Sequence, residues 1–123
     1  MSEDAKTLID IAARAVLDEV PALKPLTLVV GIDLHGRGDT QQFRLQMPEL
    51  DVRKDIAADA RIRLEMRREF FNAMVVHEAR VADWREAFMH GHAKATGVEQ
   101  YMRLIVNVVE RQEERNRTRK ARH

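Results

Sequence analysis

The chain has 123 residues and a mass of 14.2 kDa, a length that fits one domain able to bury most of its apolar surface without cross-links. With 45% hydrophobic and 33% charged residues, a net charge of +1 and no cysteine, the composition excludes disulfides, thiol chemistry and cysteine-ligated metal, and it demands no polyanionic partner. No run approaches the roughly 18 apolar residues of a membrane span, and the opening MSEDAK lacks the apolar core of a secretory signal, so the expected location is cytoplasmic.

Ser2 is the expected N-cap of a first helix, with Glu3 and Asp4 in its first turn, where carboxylates favour the helix dipole. Leu8, Ile9, Ala12, Ala13, Val16 and Val20 recur at helical spacing, and Pro21 and Pro25 end the helix. Residues 26–34 then alternate, with Leu26, Leu28, Val30, Ile32 and Leu34 on one side and Thr27, Val29, Gly31 and Asp33 on the other, the pattern of a half-buried strand. HGRGD at 35–39 supplies a turn, and Phe43, Leu45 and Met47 alternate with Gln42, Arg44 and Gln46 beyond it, so the two runs are expected to pair as a hairpin. Pro48 interrupts the pattern; Leu50, Val52 and Ile56 resume it weakly, as in a bent edge strand. Ala60, Ile62, Leu64 and Met66 against Arg61, Arg63 and Glu65 add another strand, giving an antiparallel sheet with one wet, charged face.

From about Arg68 the period becomes helical, with Phe70, Phe71, Met74 and Val75 as apolar contacts. A loop at 78–82 leads to a short helix carrying Trp84, Ala87 and Phe88, with Asp83 as its expected cap. Gly91, the extended HAKAT and Gly97 follow, then a long helix whose stripe is Val98, Tyr101, Met102, Ile105, Val108 and Val109. Leu104 and Val106 widen that stripe until little of the helix would face water. The expected domain is 1–112, and 113–123 reads as a basic, solvated tail of frayed helix or disorder.

Three polar groupings invite chemistry. His90 and His92 flank Gly91, but a metal site needs further ligands from His35, His77 or a carboxylate, and a polar turn explains the pair as well. Asp33 and His35 lie opposite the aliphatic row of the first strand, yet no nucleophile with a motif accompanies them, and GRGD lacks the helix start with Lys-Ser/Thr that a phosphate loop requires. Arg111, Arg115, Arg117, Arg119, Lys120 and Arg122 offer a contact with an anionic surface, diluted by Glu110, Glu113 and Glu114 and without an aromatic to stack bases. No catalytic residue, metal or cofactor is therefore assigned, and nucleic acid is not an expected partner.

The remaining grouping is apolar: Phe43, Leu45, Met47, Ile62, Leu64, Met66, Phe70, Phe71, Met74, Trp84, Phe88, Met89, Tyr101, Met102 and Ile105. Periodicity does not distinguish a filled core from the walls of a lipid cavity, and taken alone it favours the core. The presence of several methionines suits irregular contents.

The order of elements, together with ADARIRLEM running into RREFFNAMV and AFMHGHAKATG opening into the last helix, resembles the sterol carrier protein 2 family of lipid-binding domains over residues 5–112. In that family a glycine, a short basic-apolar strand and a second glycine precede the final helix, here Gly91, Lys94 and Gly97. The resemblance implies an α+β fold: a five-stranded, mainly antiparallel sheet covered on one face by helices, with an apolar tunnel between them whose walls are the fifteen residues above. It implies non-enzymatic binding, transfer or presentation of a hydrophobic ligand such as a fatty acyl chain, acyl-CoA, sterol, phospholipid or quinone intermediate. The final helix, or the one with Phe70 and Phe71, would be the gate. Ala93 and Ala95 stand where members have branched residues, Val98 replaces an Asp or Asn, residues 47–60 match poorly, and His123 gives no peroxisomal address. The alternative reading is a homodimeric scaffold that docks a partner enzyme on the apolar final helix. Peripheral contact with an anionic membrane through the basic tail is a further expected partner class.

Overall fold

The structure, a computed structural model, describes residues 4–121 and the side chains of 4–118. Helix α1 spans Ala5–Glu19 and is capped by Asp4, whose carboxylate accepts the Lys6 N–H at 3.4 Å. Asp4 thus caps the helix in place of the expected Ser2, which lies outside the described residues. Pro21–Leu26 form a 3-10 turn that Thr27 ends with a left-handed φ of 45°. Leu26 and Leu28 therefore precede the first strand, because two prolines four residues apart favour the tight turn over extension.

Strands β1 (Val29–His35), β2 (Thr40–Gln46), β3 (Asp51–Lys54), β4 (Ile62–Arg67) and β5 (Ala93–Gly97) form one sheet in the order β3-β2-β1-β4-β5. The hairpin β1–β2 turns at Gly36–Asp39 as its residues require, with Gly36 N–H donating to the Asp39 carbonyl at 2.8 Å, and β3 takes the edge. One pairing departs from the antiparallel expectation: β1 and β4 run parallel, and the other three are antiparallel. The cause is the connection, since residues 55–61 carry the chain from the β3 edge back across the polar face to the far side of β1.

Register sorts the side chains into rows. On the inner face Val52, Leu45, Val30 and Ile62 form one row, Phe43, Ile32, Leu64 and Ala95 the next, and Leu34, Met66 and Ala93 a third. This face is apolar because every second residue of each strand points the same way. The outer face is charged and only partly wet. Asp33 is 7% exposed there, beneath Arg63, and Arg44 reaches the crossover by donating from Nε and Nη2 to Asp59 at 3.0 and 2.8 Å.

The Arg44 hydrogen bonds hold the Asp59 carboxyl below its ordinary pKa. An unfolded chain therefore takes up this proton first, and the pair's contribution is present above the ordinary aspartate value and lost as pH falls through the lowered one. Comparing melting temperature against pH for the parent and Asp59→Asn is expected to show a gap that is widest near neutrality and closes in acid. A gap that is constant with pH would exclude the linkage.

Helices α2 (Arg68–Val76), α3 (Val81–Met89) and α4 (Glu99–Ala121) complete the chain. Arg80 rather than Asp83 is the N-cap of α3; Asp83 sits three residues in and accepts the Arg80 N–H at 2.8 Å, the return half of a capping box. Helix α4 runs through Ala121, the last of the described residues. Its backbone approaches the 3-10 turn rather than the strands, so its covering is one-sided. Val109 is buried, but Val98, Leu104 and Val106 are 43%, 41% and 50% exposed, contrary to the expectation that little of this helix faces water.

Candidate functional site

Because α4 stands off from the sheet, a cavity of about 790 Å³ lies beneath it. Its floor is the inner face, from Leu45 and Met47 through Val30, Ile32, Ile62, Leu64 and Met66 to Ala93 and Ala95. One wall is α1, through Ile9, Ala12, Ala13 and Val16; the opposite one is α3, through Val81, Trp84, Phe88 and Met89, with Phe71 of α2 beside it. The roof is Met102, Ile105, Val106 and Val109. Short side chains account for the space: Ala12, Ala13, Ala93 and Ala95 leave a gap between backbones that α4 does not move in to close.

Polar groups reach the cavity only at its exposed side, where Lys94 and Thr96 of β5 and Arg85 of α3 join the exposed Met89 and Val106. Arg85 ties α3 to α4, donating to Glu113 Oε2 at 2.6 Å and lying 3.6 Å from Glu110. Arg85, a lining residue, thus joins α3 to α4 by ion pairs beside the cavity.

A glycine sets the entry to the neighbouring strand. Gly91, at φ +78°, closes α3: its N–H donates to the Phe88 carbonyl at 3.3 Å and the His92 N–H to that of Ala87 at 2.9 Å, a Schellman ending that favours glycine. His90 and His92 flank it as helix-end residues, and His92 stacks on Phe70 with centroids 5.4 Å apart. His35 lies between Thr40 Oγ1 at 2.9 Å and Glu65 at 3.0 Å on the outer face. Among the described residues no three His, Cys, Asp or Glu side chains converge as a metal site would require.

Eleven of the fifteen expected wall residues line the cavity: Leu45, Met47, Ile62, Leu64, Met66, Phe71, Trp84, Phe88, Met89, Met102 and Ile105. Four do not. Phe43 is on the inner face in the same strand as Leu45 but nearer the hairpin turn, Phe70 is turned onto His92, Met74 packs at the margin of the core, and Tyr101 accepts a hydrogen bond from Arg61, whose guanidinium lies 4.9 Å from its ring centre. The α1 wall and the alanines of β5 fall outside that expectation, which rests on large side chains, whereas small ones make the space. The apolar face of α1 is the signal in the sequence that points to them.

Comparison with solved structures gives a consistent match for this arrangement. The crystal structure of sterol carrier protein 2-like 2 from Aedes aegypti superposes with a TM-score of 0.57 at 20% identity, covering 85% of this chain and 92% of that one. The chain has a sterol carrier protein 2-like fold. Sterol carrier protein 2 from Yarrowia lipolytica, in its apo form, matches at a TM-score of 0.51 and 20% identity over 80% of this chain and 92% of that one. Sterol carrier protein 2 from Aedes aegypti, in complex with the C16 fatty acid palmitate, matches at 0.52 and 13% identity over 89% and 96%. No protein-family model matches the sequence, and no curated protein does. Within this fold the five-stranded, mostly antiparallel sheet and its one-sided helical cover are as the resemblance implies. No helix among the described residues is long and apolar enough to cross a membrane.

Proposed function

We propose that this chain binds a hydrophobic ligand between its sheet and α4 and carries or presents it without chemical change. The observation that carries the reading is the volume of the apolar cavity. At about 24 cal/mol per Å³ of empty space, a sealed void of 790 Å³ would cost about 19 kcal/mol, more than the roughly 5–15 kcal/mol by which domains are stable. Such a space is sustainable when it is open at the mouth or occupied by apolar atoms. A guest repays its ordering through burial, at about 25 cal/mol per Å² of apolar surface removed from water. The palmitate held by an Aedes aegypti protein of the same fold supports an acyl chain as the first ligand to test. Acyl-CoA, sterol, phospholipid and quinone intermediates remain members of the ligand class proposed, with the eleven cavity-lining residues of the expected fifteen as walls.

Native mass spectrometry of the purified protein beside its organic-solvent extract tests this directly. A stoichiometric apolar passenger supports binding and names its class; an apo mass that also fails to take up palmitate would count against it. Ala95→Phe is expected to fill the floor, lowering palmitate affinity by about tenfold or more while leaving the fold intact, because the ring occupies space the chain needs. Unchanged affinity would place the ligand elsewhere.

A second reading rests on the exposed Val98, Leu104 and Val106: α4 would pair with a second copy or dock a partner enzyme. Solution mass that rises with protein concentration, and stays monomeric in Leu104→Lys, would favour it. Contact of the basic end of α4 with an anionic membrane and a cytoplasmic setting belong to the carrier reading.

A further inference from the structure

A second cleft, polar and of about 520 Å³, lies at the other edge of the inner face and shares no lining residue with the apolar cavity. Its walls include Lys6 of α1, Gln41 of β2, Lys54 of β3, and Arg68 and Asn72 of α2, over a floor of buried Phe43. Two of these break the pattern of the sheet. Lys54 pairs with Phe43 and Gln41 with Leu34, so both extend apolar inner-face rows, where an amphipathic sheet has no use for a cation.

Two of the charges are also unspent. Lys6 and Lys54 take part in no ion pair among the described residues. Arg68 gives Nη2 to Asp39 at 2.9 Å, while its Nε is buried with no partner, a donor whose desolvation is uncompensated. Among the described residues one carboxylate lines the cleft, that of Asp4, and it accepts the Lys6 backbone N–H. Three cations from three elements thus line the cleft, and of these only Arg68 is ion-paired, to Asp39.

We propose that this cleft binds a phosphate monoester. Its phosphate oxygens would take Lys6, Lys54 and the accessible face of the Arg68 guanidinium, all of which line the cleft. The amide side chains of Gln41 and Asn72 would serve the hydroxyl-bearing remainder, for which a cleft of this volume has room beyond a bare phosphate. The same phosphate chemistry is available on a free metabolite or on a lipid headgroup.

Glycerol 3-phosphate is the probe, followed by amide chemical shifts at constant ionic strength, with glycerol as the control. Shifts centred on residues 4–6, 41, 54, 68 and 72, absent with glycerol, are expected. Lys54→Gln, at the exposed end of an edge strand, is expected to weaken the probe by about tenfold or more, as loss of one charge-assisted contact does. Arg68→Lys, which keeps the charge but removes the planar fork of donors, is expected to weaken it too, and palmitate uptake should be unchanged in both. Vesicles containing phosphatidic acid that displace the probe would identify a headgroup as the source, and failure to displace it a free phosphate monoester; either supports the site. Shifts spread over surface lysines, equal binding by Lys54→Gln, or no shift at tens of millimolar probe would overturn it.

Discussion

Replacing Gly97 with alanine is expected to destabilise the fold by about 3 kcal/mol or more, the upper end for a strained backbone position. Gly97 has a φ of +144°, and a Cβ built there would meet the Arg61 carbonyl oxygen at 2.1 Å and the Ile62 Cα at 2.9 Å. Both neighbours are backbone, so neither can rotate away. They are also fastened in place: Ile62 pairs with Gly97 across β4 and β5, and the Val98 N–H donates to the same Arg61 carbonyl at 2.9 Å. Relief would require β5 to peel from β4, which loosens the exposed side of the cavity and the start of α4. Gly38→Ala is the control, because its φ is +79° but nothing lies within 4 Å of the added atom; it is expected to cost about 1 kcal/mol. Urea denaturation of both variants measures the difference. Equal losses would show that backbone contact at Gly97 carries no weight.

Arg63→Leu is the second large effect, with an expected loss of about 3 kcal/mol, typical of breaking a buried pair from one side. Arg63 Nη1 donates to Asp33 at 2.7 Å, and Asp33 is 7% exposed. Without it Asp33 keeps only the distant Gln42 amide at 3.4 Å. Arg63 Nη2 also donates to the carbonyls of Ile56 at 2.6 Å and Ala57 at 3.3 Å, pinning the crossover where Ala57 sits buried at φ 56°. The guanidinium lies flat over Gly31, 3.0 Å from where a Cβ would be, so the glycine makes room for the pair. Asp33→Asn in the Arg63→Leu background is expected to recover part of the loss by removing the stranded charge. If Arg63→Leu stayed within about 0.5 kcal/mol of the parent, as ordinary surface changes do, the pair would be no staple.

Much of the sheet is legible in the order of residues alone. Strands β1, β2 and β4 show strict alternation, and a period of two with one apolar face specifies which side chains point inward. Helix ends are less legible. Asp4 and Ser2 are both good capping residues, whereas Arg80, the N-cap of α3, carries no such signal, and the position of a cap depends on where the preceding chain enters. The parallel β1–β4 pairing is hidden because local alternation says nothing about which strand lies alongside. Residues 55–61 decide that, and Arg44 and Arg63, which hold them, look in sequence like any outward-facing arginines.

The sequence by itself determined the elements, the inner and outer faces of the strands, and the resemblance carried by Gly91, Lys94 and Gly97, because each of these is written in local spacing and backbone permission. Only the tertiary structure decided that α4 stands off the sheet, that Phe70 and Tyr101 turn away from the space beneath it while Phe43 lies beside that space on the same inner face, and that Ala12, Ala13, Ala93 and Ala95 surround it. A cavity is the difference between the distance separating backbones and the volume of the side chains between them. The chain records the second quantity residue by residue, and the first exists only once distant elements have met.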